Sequence, residues 1–412
     1  MLSVAEAVET VLAAASPLDA AEVHLQDALG RFAARDVTSA VAIPPWDNSS
    51  MDGYAVRASD VTAGATLRVL ATIRAGGVAD RAVGPGEAMK IMTGAPVPDG
   101  ADTVIRIEDT EEKDGVVTIS DVRDAGRNVR RRAEDIAEGQ TVITRGTRLL
   151  APHIGVLASI GMSRVPVHAM PVVAILSTGD ELVRVEDLAA AKGGRNVVSS
   201  NSYSLAALVR ESGGVPIDNG LIADDPAALS AAIEEASGSD LIITSGGISV
   251  GEFDHTRDVI QAMGGEIAFW KIRVRPGANI AFGSVNGTPW LGLPGNPVSA
   301  LIGGELFIRP MLRKMTGSPR PYPRPITAIA AERFRGSESM AHLIRAVLTR
   351  AENGELHARS TGPQGSGILS SMAAANALLV VPAGRTIDLG EIVTALPLDP
   401  DAHLTDRFEL YA

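Results

Sequence analysis

The sequence predicts a multidomain chain of α/β plus β class. It comprises a central, mostly parallel α/β domain, an inserted small β-rich domain, and a small β-barrel-like domain at the C-terminus. Three observations carry that prediction. A chain of 412 residues is too long for one hydrophobic core, so several domains are needed. Between residues 171 and 320, apolar strand-like runs alternate with helical stretches, the pattern of βαβ units and a parallel sheet. From about residue 320 the pattern changes to short strands separated by turns, as in small all-β domains.

Composition narrows the function. Net charge is −12, which argues against general nucleic-acid binding, so any positive field for an anionic ligand must be local. There is no cysteine, which excludes disulfides, cysteine-ligated zinc or iron–sulfur sites and a cysteine nucleophile. Glu6 and Glu9 stand where a signal peptide carries Lys or Arg, and no apolar run reaches membrane-spanning length. The expected location is the cytoplasm, with no membrane and no nucleic-acid partner.

Taken in order, Leu2, Ala5, Val8, Val11 and Leu12 recur at helical spacing, predicting an amphipathic helix over 3–15 that Pro17 ends. Residues 21–40 read as a second short helix and an extended link. Ile43 to Val56 (IPPWDNSSMDGYAV) is too dense in turn formers for a packed element, and reads either as a functional loop or as a rigid linker. Residues 57–140 read as β-rich, with Met89 to Pro98 (MKIMTGAPVP) forming an exposed rigid turn. The basic run Arg127–Arg132 reads as a solvated edge. Residues 141–170 return to the first segment, so the expected division is 1–42 with 141–170 as an arm domain, 43–140 inserted, 171–320 α/β, and 321–412 all-β.

The α/β domain is organised around Asp240 to Asp254, DLIITSGGISVGEFD. Leu241–Ile243 is a buried-strand run, and Gly246-Gly247 let the backbone approach a ligand closely. A strand, a glycine turn and a helix start together make an anion site. Asp254 repels an anion unless a divalent cation bridges the two; the other reading is an ordinary βα turn with Asp254 as N-cap. Glu181, Asp224 and Asp254 each follow a predicted strand and converge on one rim, where ligands of such sheets bind. Beyond them, alternation along a strand Phe269–Val274 puts Lys271, Arg273 and Arg275 on one face, suited to an oxyanion or lying at a solvated edge. Residues 297–315 read as an apolar helix, buried or at a subunit contact.

The ordered stretches PPWDNSSMDGYAV, IMTGAPVP, STGDEL, TSGGISVGEFD and LPGNPVSA resemble the molybdopterin molybdotransferase family, which includes bacterial MoeA and the E domains of gephyrin and plant homologues. The resemblance covers essentially the whole chain. It implies a four-part homodimer whose 171–320 domain binds molybdopterin. It also implies a reaction, metal-dependent cleavage of adenylyl-molybdopterin and insertion of molybdate into the dithiolene, giving molybdenum cofactor and AMP. Implied catalytic residues are Asp52, Thr93, Glu181, Asp254 and Lys271, with Asp52 and Thr93 serving the partner's cleft. Glu181, Asp224 and Asp254 would hold Mg2+, and Asp224 and Asp225 are not distinguished. Substrate contacts are implied at Ser177, Thr178, Gly179, Asp224, Ser245, Gly246, Gly247, Ser249, Arg275, Pro294, Asn296, Pro297 and Ser299, and more loosely at Arg345 and Ser366. Implied partners are molybdate, adenylyl-molybdopterin, the upstream adenylyltransferase and apo-molybdoenzymes.

One departure stands out. The family pattern of lysine, Pro-Gly, lysine, proline reads here Arg275-Pro276-Gly277-Ala278-Asn279, so one expected cation is absent unless Arg273 or Arg275 replaces it. Two competing functions are weaker. A nucleotide pyrophosphatase or dehydrogenase would show glycines at GxGxxG spacing, which Ser177-Thr178-Gly179-Asp180-Glu181 lacks. A gephyrin-type scaffold would need an added module or long linker.

Overall fold

The computed structural model describes residues 1–248 and 255–398. The chain divides into two compact units, Glu22–Val167 and Met1–Ala21 with His168–Ala412.

In the second of these, four parallel strands form the heart of a six-stranded sheet ordered Val215–Ile222, Val172–Thr178, Leu241–Ser245, Thr288–Leu293, Ala281–Val285, Glu266–Trp270. The last two strands run antiparallel to their neighbours. Strands Val172–Thr178 and Leu241–Ser245 are almost wholly buried because helices cover both faces, which is why they read as unbroken apolar runs. The helix Val4–Ala13 starts on a capping box: Ser3 Oγ accepts from Glu6 N, and Ser3 N donates to Glu6 Oε2 at 2.7 Å. Its buried stripe Ala7, Val11 and Leu12 joins the core of this sheet, with Val173, Leu205 and Leu291. Residues 1–21 therefore group with the α/β region, not with an arm spanning 1–42. The apolar stretch after Asn296 is helical as expected, with a π turn Gly304–Ile308 between Pro297–Gly303 and Arg309–Met315, and it is largely buried.

The C-terminal strands close on themselves. Ala341–Arg350 pairs with Leu356–Ser360 and with Ala377–Val381. Ile326–Ala330 pairs with Leu356–Ser360 and Ile392–Pro397, and Ile392–Pro397 returns to Ala377–Val381. The result is a closed five-strand barrel, which leaves no free edge among those strands. Val274–Arg275 adds to it, Arg275 lying opposite His342.

The alternation expected for Lys271, Arg273 and Arg275 is not realised. The strand ends at Trp270, and Lys271 takes φ 81°, so the chain leaves the sheet before the alternation can continue. Arg273 instead faces the first helix, its Nη2 3.9 Å from Glu6 Oε2.

The unit Glu22–Val167 carries a six-stranded sheet ordered Thr103–Arg106, Gly53–Val56, Glu87–Ile91, Thr66–Ile73, Val116–Ile119, Thr110–Lys113. A Cβ at Gly53 would lie 1.9 Å from the Ile105 carbonyl oxygen, so the Asp-Gly of the long loop is required by strand packing. Residues 21–40 hold strands and a 3-10 turn rather than the expected second α-helix. The basic run is a solvated edge as read: Arg131 and the Arg132 backbone bind Asp47.

Beside the sheet, Arg106 grips buried Asp124 with Nε and Nη2 at 2.8 and 2.9 Å, which holds its carboxyl down at about 2. A folded-state value below the unfolded one contributes stability that is complete above pH ~4 and is lost as pH falls towards 2. Asp124→Asn should therefore lower unfolding free energy at pH 7 by about 2 kcal/mol and flatten the acid limb of stability between pH 4 and 2. Denaturant melts at several pH values check this; parallel acid limbs for the two proteins would refute it.

Candidate active site

The four parallel strands end at Thr178, Ile222, Ser245 and Leu293, and the turns beyond them build two cavities. The first, of about 610 Å3, has a polar floor and an apolar wall. Ser177, Thr178, Glu181, Ser245 and Asn296 line it as expected, with Pro297, and Leu182, Val197, Val198 and Leu369 supply the apolar side. Its floor is a hydroxyl chain: Ser177 Oγ lies 2.9 Å from Ser202 Oγ, which lies 2.7 Å from Ser199 Oγ. Asn201 donates Nδ2 to Ser245 Oγ at 2.8 Å and to the Gly295 carbonyl at 2.9 Å. Thr178 Oγ1 and Asn201 Oδ1 are buried with no partner, an arrangement that ligand-binding floors tolerate better than packed cores.

The glycines hold these turns tight. Gly179 leaves room for the Glu181 carboxylate, whose Oε2 would meet a Cβ at 2.7 Å. Gly246 takes φ +98°, and a Cβ there would lie 2.6 Å from the Thr178 carbonyl oxygen. Gly247, also at positive φ, lines a small void with Thr178, Asp224 and Asp225. Asp225 is the N-cap of the helix Pro226–Glu235, accepting from Ala228 N at 2.8 Å. Asp224 is interlocked with Asp180: each donates its backbone N–H to the other's carboxylate. The ambiguity between Asp224 and Asp225 thus has a structural side, since Asp225 is occupied in capping.

The expected cation centre is less complete. Glu181 and Asp224 line different cavities, and Ser249 and Asp254 lie outside the described residues. Among the described residues no group of three or more His, Asp or Glu could hold a metal ion. Asp254, the third expected ligand, is not among those residues.

The second cavity, of about 430 Å3, brings together Arg275, Pro294, Asn296, Ser299 and Ser366, all named above as implied substrate contacts, and adds Ala278, Asn279, Gln364 and Gly365. Among the described residues no carboxylate lines it. Burial lowers His342, which pairs with Arg275 across the strands, below its usual value, and the Arg275 and Arg345 guanidiniums add to that lowering. Asn296 belongs to both cavities. Arg345 does not line either one. It is fully buried, so the expected direct ligand contact is replaced by contacts to its own chain. Lys271 lines neither.

In the unit Glu22–Val167, Asp52 and Thr93 come together from sequence positions far apart. Asp52 Oδ1 accepts from Thr93 N at 2.6 Å and from Thr93 Oγ1 at 2.7 Å. These two bonds, the backbone one first, hold the exposed Asp52 carboxyl below its ordinary range. Thr93→Val deletes the hydroxyl donor and should move the Asp52 titration partway back up, read by carboxyl NMR; an unmoved titration would mean that the hydroxyl bond does not operate in solution.

Comparison with known proteins adds three matches along the chain. Residues 2–161 match the family model of the MoeA N-terminal region (domain I and II), residues 174–314 that of a probable molybdopterin binding domain, and residues 327–398 that of the MoeA C-terminal region (domain IV). The molybdopterin molybdenumtransferase of Haemophilus influenzae is 35% identical over 387 residues, 93% of this chain and 95% of that one. The enzyme of the same name from Bacillus subtilis is 34% identical over 385 residues, 91% of this chain and 89% of that one. Among solved structures, the molybdopterin biosynthesis MoeA protein of Pyrococcus horikoshii superposes with a TM-score of 0.80 at 29% identity, covering 96% of this chain and 100% of that one.

Proposed function

Because this chain belongs to the MoeA family of molybdopterin molybdenumtransferases and so serves molybdenum cofactor biosynthesis, we propose that it cleaves adenylyl-molybdopterin and inserts molybdate into the dithiolene, releasing molybdenum cofactor and AMP. One observation supports this reading above others: two cavities of different chemistry share a wall at Asn296. The first, with apolar side and hydroxyl floor, suits a flat polar heterocycle. The second, with Arg275 and, among the described residues, no carboxylate, suits a small dianion. A reaction that joins a dithiolene to molybdate needs both ligands next to each other, because holding reactants in contact removes much of the entropic barrier.

In this reading Ser177, Asn201 and Ser245 orient the pterin, Glu181 stands at the mouth of its cavity, and Arg275 and Ser366 hold molybdate. Asp52, kept ionised by Thr93, supplies a carboxylate to the reaction. Homodimerisation with a shared site, a cytoplasmic location, Mg2+ held through Asp254, and exchange with an upstream adenylyltransferase and apo-molybdoenzymes belong to the same proposal. No described helix is long and apolar enough to cross a membrane. The test is molybdate-dependent AMP release from adenylyl-molybdopterin by the purified protein. Release that ignores molybdate would leave a pyrophosphatase, and no release would defeat the reading.

The departure at Ala278 gives a sharper measurement. Ala278 lines the second cavity together with Arg275, whereas Arg273 is not among its lining residues and lies 3.9 Å from Glu6. Ala278→Lys should lower the molybdate concentration for half-maximal AMP release about tenfold, and Arg275→Ala should raise it by about as much. An unchanged requirement in both variants would move molybdate out of this cavity.

A further inference from the structure

We propose that Trp290 is the positioning residue of the turn Ser245-Gly246-Gly247, one buried indole fixing that turn at both ends so that it meets a ligand without first having to be ordered. The proposal deepens the functional reading above and rests on its assignment of the pterin to the first cavity, which Ser245 lines.

The turn has little means of holding its own shape. Gly246 and Gly247 both take positive φ and carry no side chain to pack, and glycine has the most backbone freedom to lose. The strand leading into the turn is held from two sides. Along Leu241–Ser245 successive side chains point to opposite faces of the sheet. On one face Ser245 Oγ accepts from Asn201 Nδ2 at 2.8 Å. On the other, Thr244 Oγ1 accepts from Trp290 Nε1 at 3.1 Å. Both bonds are buried. Gly246 N then donates to the Leu293 carbonyl at 2.9 Å, on the strand Thr288–Leu293 that carries Trp290. On the far side of the turn, Ile248 is buried in the same apolar cluster as Trp290. A Cβ on Gly292 would meet Trp290 Cζ2 at 2.7 Å and Ile248 Cγ2 at 3.0 Å, so the indole and Ile248 close together over that glycine.

Trp290 is the largest fully buried side chain among the described residues. Across the parallel pair it lies opposite Ile242, while Thr244 lies opposite Gly292. The indole therefore leans along the sheet towards the strand ends, over the space that Gly292 leaves. Trp270 backs it, with ring centroids 6.1 Å apart and planes 29° from parallel, and Arg257 Cζ stands 5.7 Å from the centre of the Trp270 ring. Leucine or phenylalanine could fill the cluster. Tryptophan joins that apolar bulk to a single donor, and the donor is spent on Thr244. A binding turn held in place beforehand gains affinity, because less ordering is left for the ligand to impose.

The experiment measures binding of adenylyl-molybdopterin by calorimetry and amide hydrogen exchange at Gly246 by NMR. Trp290→Phe keeps an aromatic body and loses the donor, and Thr244→Val keeps the β-branched shape and loses the acceptor. Val285→Ala is the control: Val285 belongs to the same cluster but lies opposite Thr288, at the other end of the strand from the turn. Expected is a dissociation constant about tenfold weaker in Trp290→Phe and in Thr244→Val, with no further loss when the two are combined, since both break one bond. Exchange at Gly246 should quicken in the same variants, and Val285→Ala should bind like wild type. Unchanged affinity in Trp290→Phe would overturn the proposal. So would an equal loss in Val285→Ala, the result of a loosened core alone. If wild type binds no adenylyl-molybdopterin, the functional reading fails and the binding role of Trp290 with it; quickened exchange at Gly246 then places the failure in the ligand assignment and not in the hold on the turn.

Discussion

Changing Asp52 to alanine should lower AMP release a hundredfold or more, on the order expected for loss of a reacting carboxylate, while the protein melts where wild type does. The asymmetry follows from its surroundings. The carboxylate is exposed, and among the described residues it is bound by Thr93 alone, so little of the fold depends on it. Surface substitutions of that kind typically stay within about 0.5 kcal/mol. A side chain that two donors keep ionised, yet that holds nothing else together, is arranged for a ligand. Mixing Asp52→Ala chains with Glu181→Ala chains then asks whether the site is shared between copies. If it is, random reassembly gives hybrids with one intact site and recovery of about a quarter of wild-type activity. Full activity of the alanine variant alone would remove Asp52 from the reaction, and no recovery on mixing would make each chain self-sufficient.

Gly246→Ala should be the most damaging single-methyl change in the α/β domain. Two costs combine. A side chain at φ +98° is strained, at about 1–3 kcal/mol. The new Cβ would also press on the Thr178 carbonyl oxygen at 2.6 Å and on Thr178 Oγ1 at 2.7 Å, adding about 1–3 kcal/mol of overpacking. Thr178 cannot yield cheaply, since its strand lies between Leu241–Ser245 and Val215–Ile222. Gly264→Ala isolates the first cost: its φ is +76° and nothing lies within 4 Å of the added carbon. Expected is a loss of about 1 kcal/mol for Gly264→Ala and several for Gly246→Ala, with AMP release abolished only in the latter. Similar melting curves for the two variants would mean that the turn after Ser245 gives way easily.

The α/β region was legible because its signals are local. Leu241–Ile243 followed by Gly246-Gly247 announces a buried strand and a tight turn from adjacent residues alone. Asp225 before Pro226 announces a helix start in the same way. The residues lining the second cavity were legible only through motif resemblance, since Arg275, Asn296 and Ser366 are brought together by tertiary contacts. What failed failed for identifiable reasons. Alternation over Lys271, Arg273 and Arg275 presumes continuous extended backbone, and a single residue at φ 81° breaks it. The ligand contact expected at Arg345 rests on the resemblance alone. The burial of that side chain depends on carbonyls some twenty positions further along, which no periodicity reports. The first helix shows its apolar stripe in sequence, but not which sheet the stripe covers.

If the first cavity holds the pterin and the second molybdate, Asn296, which lines both, would tie the two ligands' equilibria together. If the pterin fixes that side chain and the turn that carries it, the gain it confers on molybdate must be returned in full: molybdate tightens the pterin by the same factor, because the free energy around a closed binding cycle is zero. Under such coupling the pair of ligands would be held more tightly than either one alone.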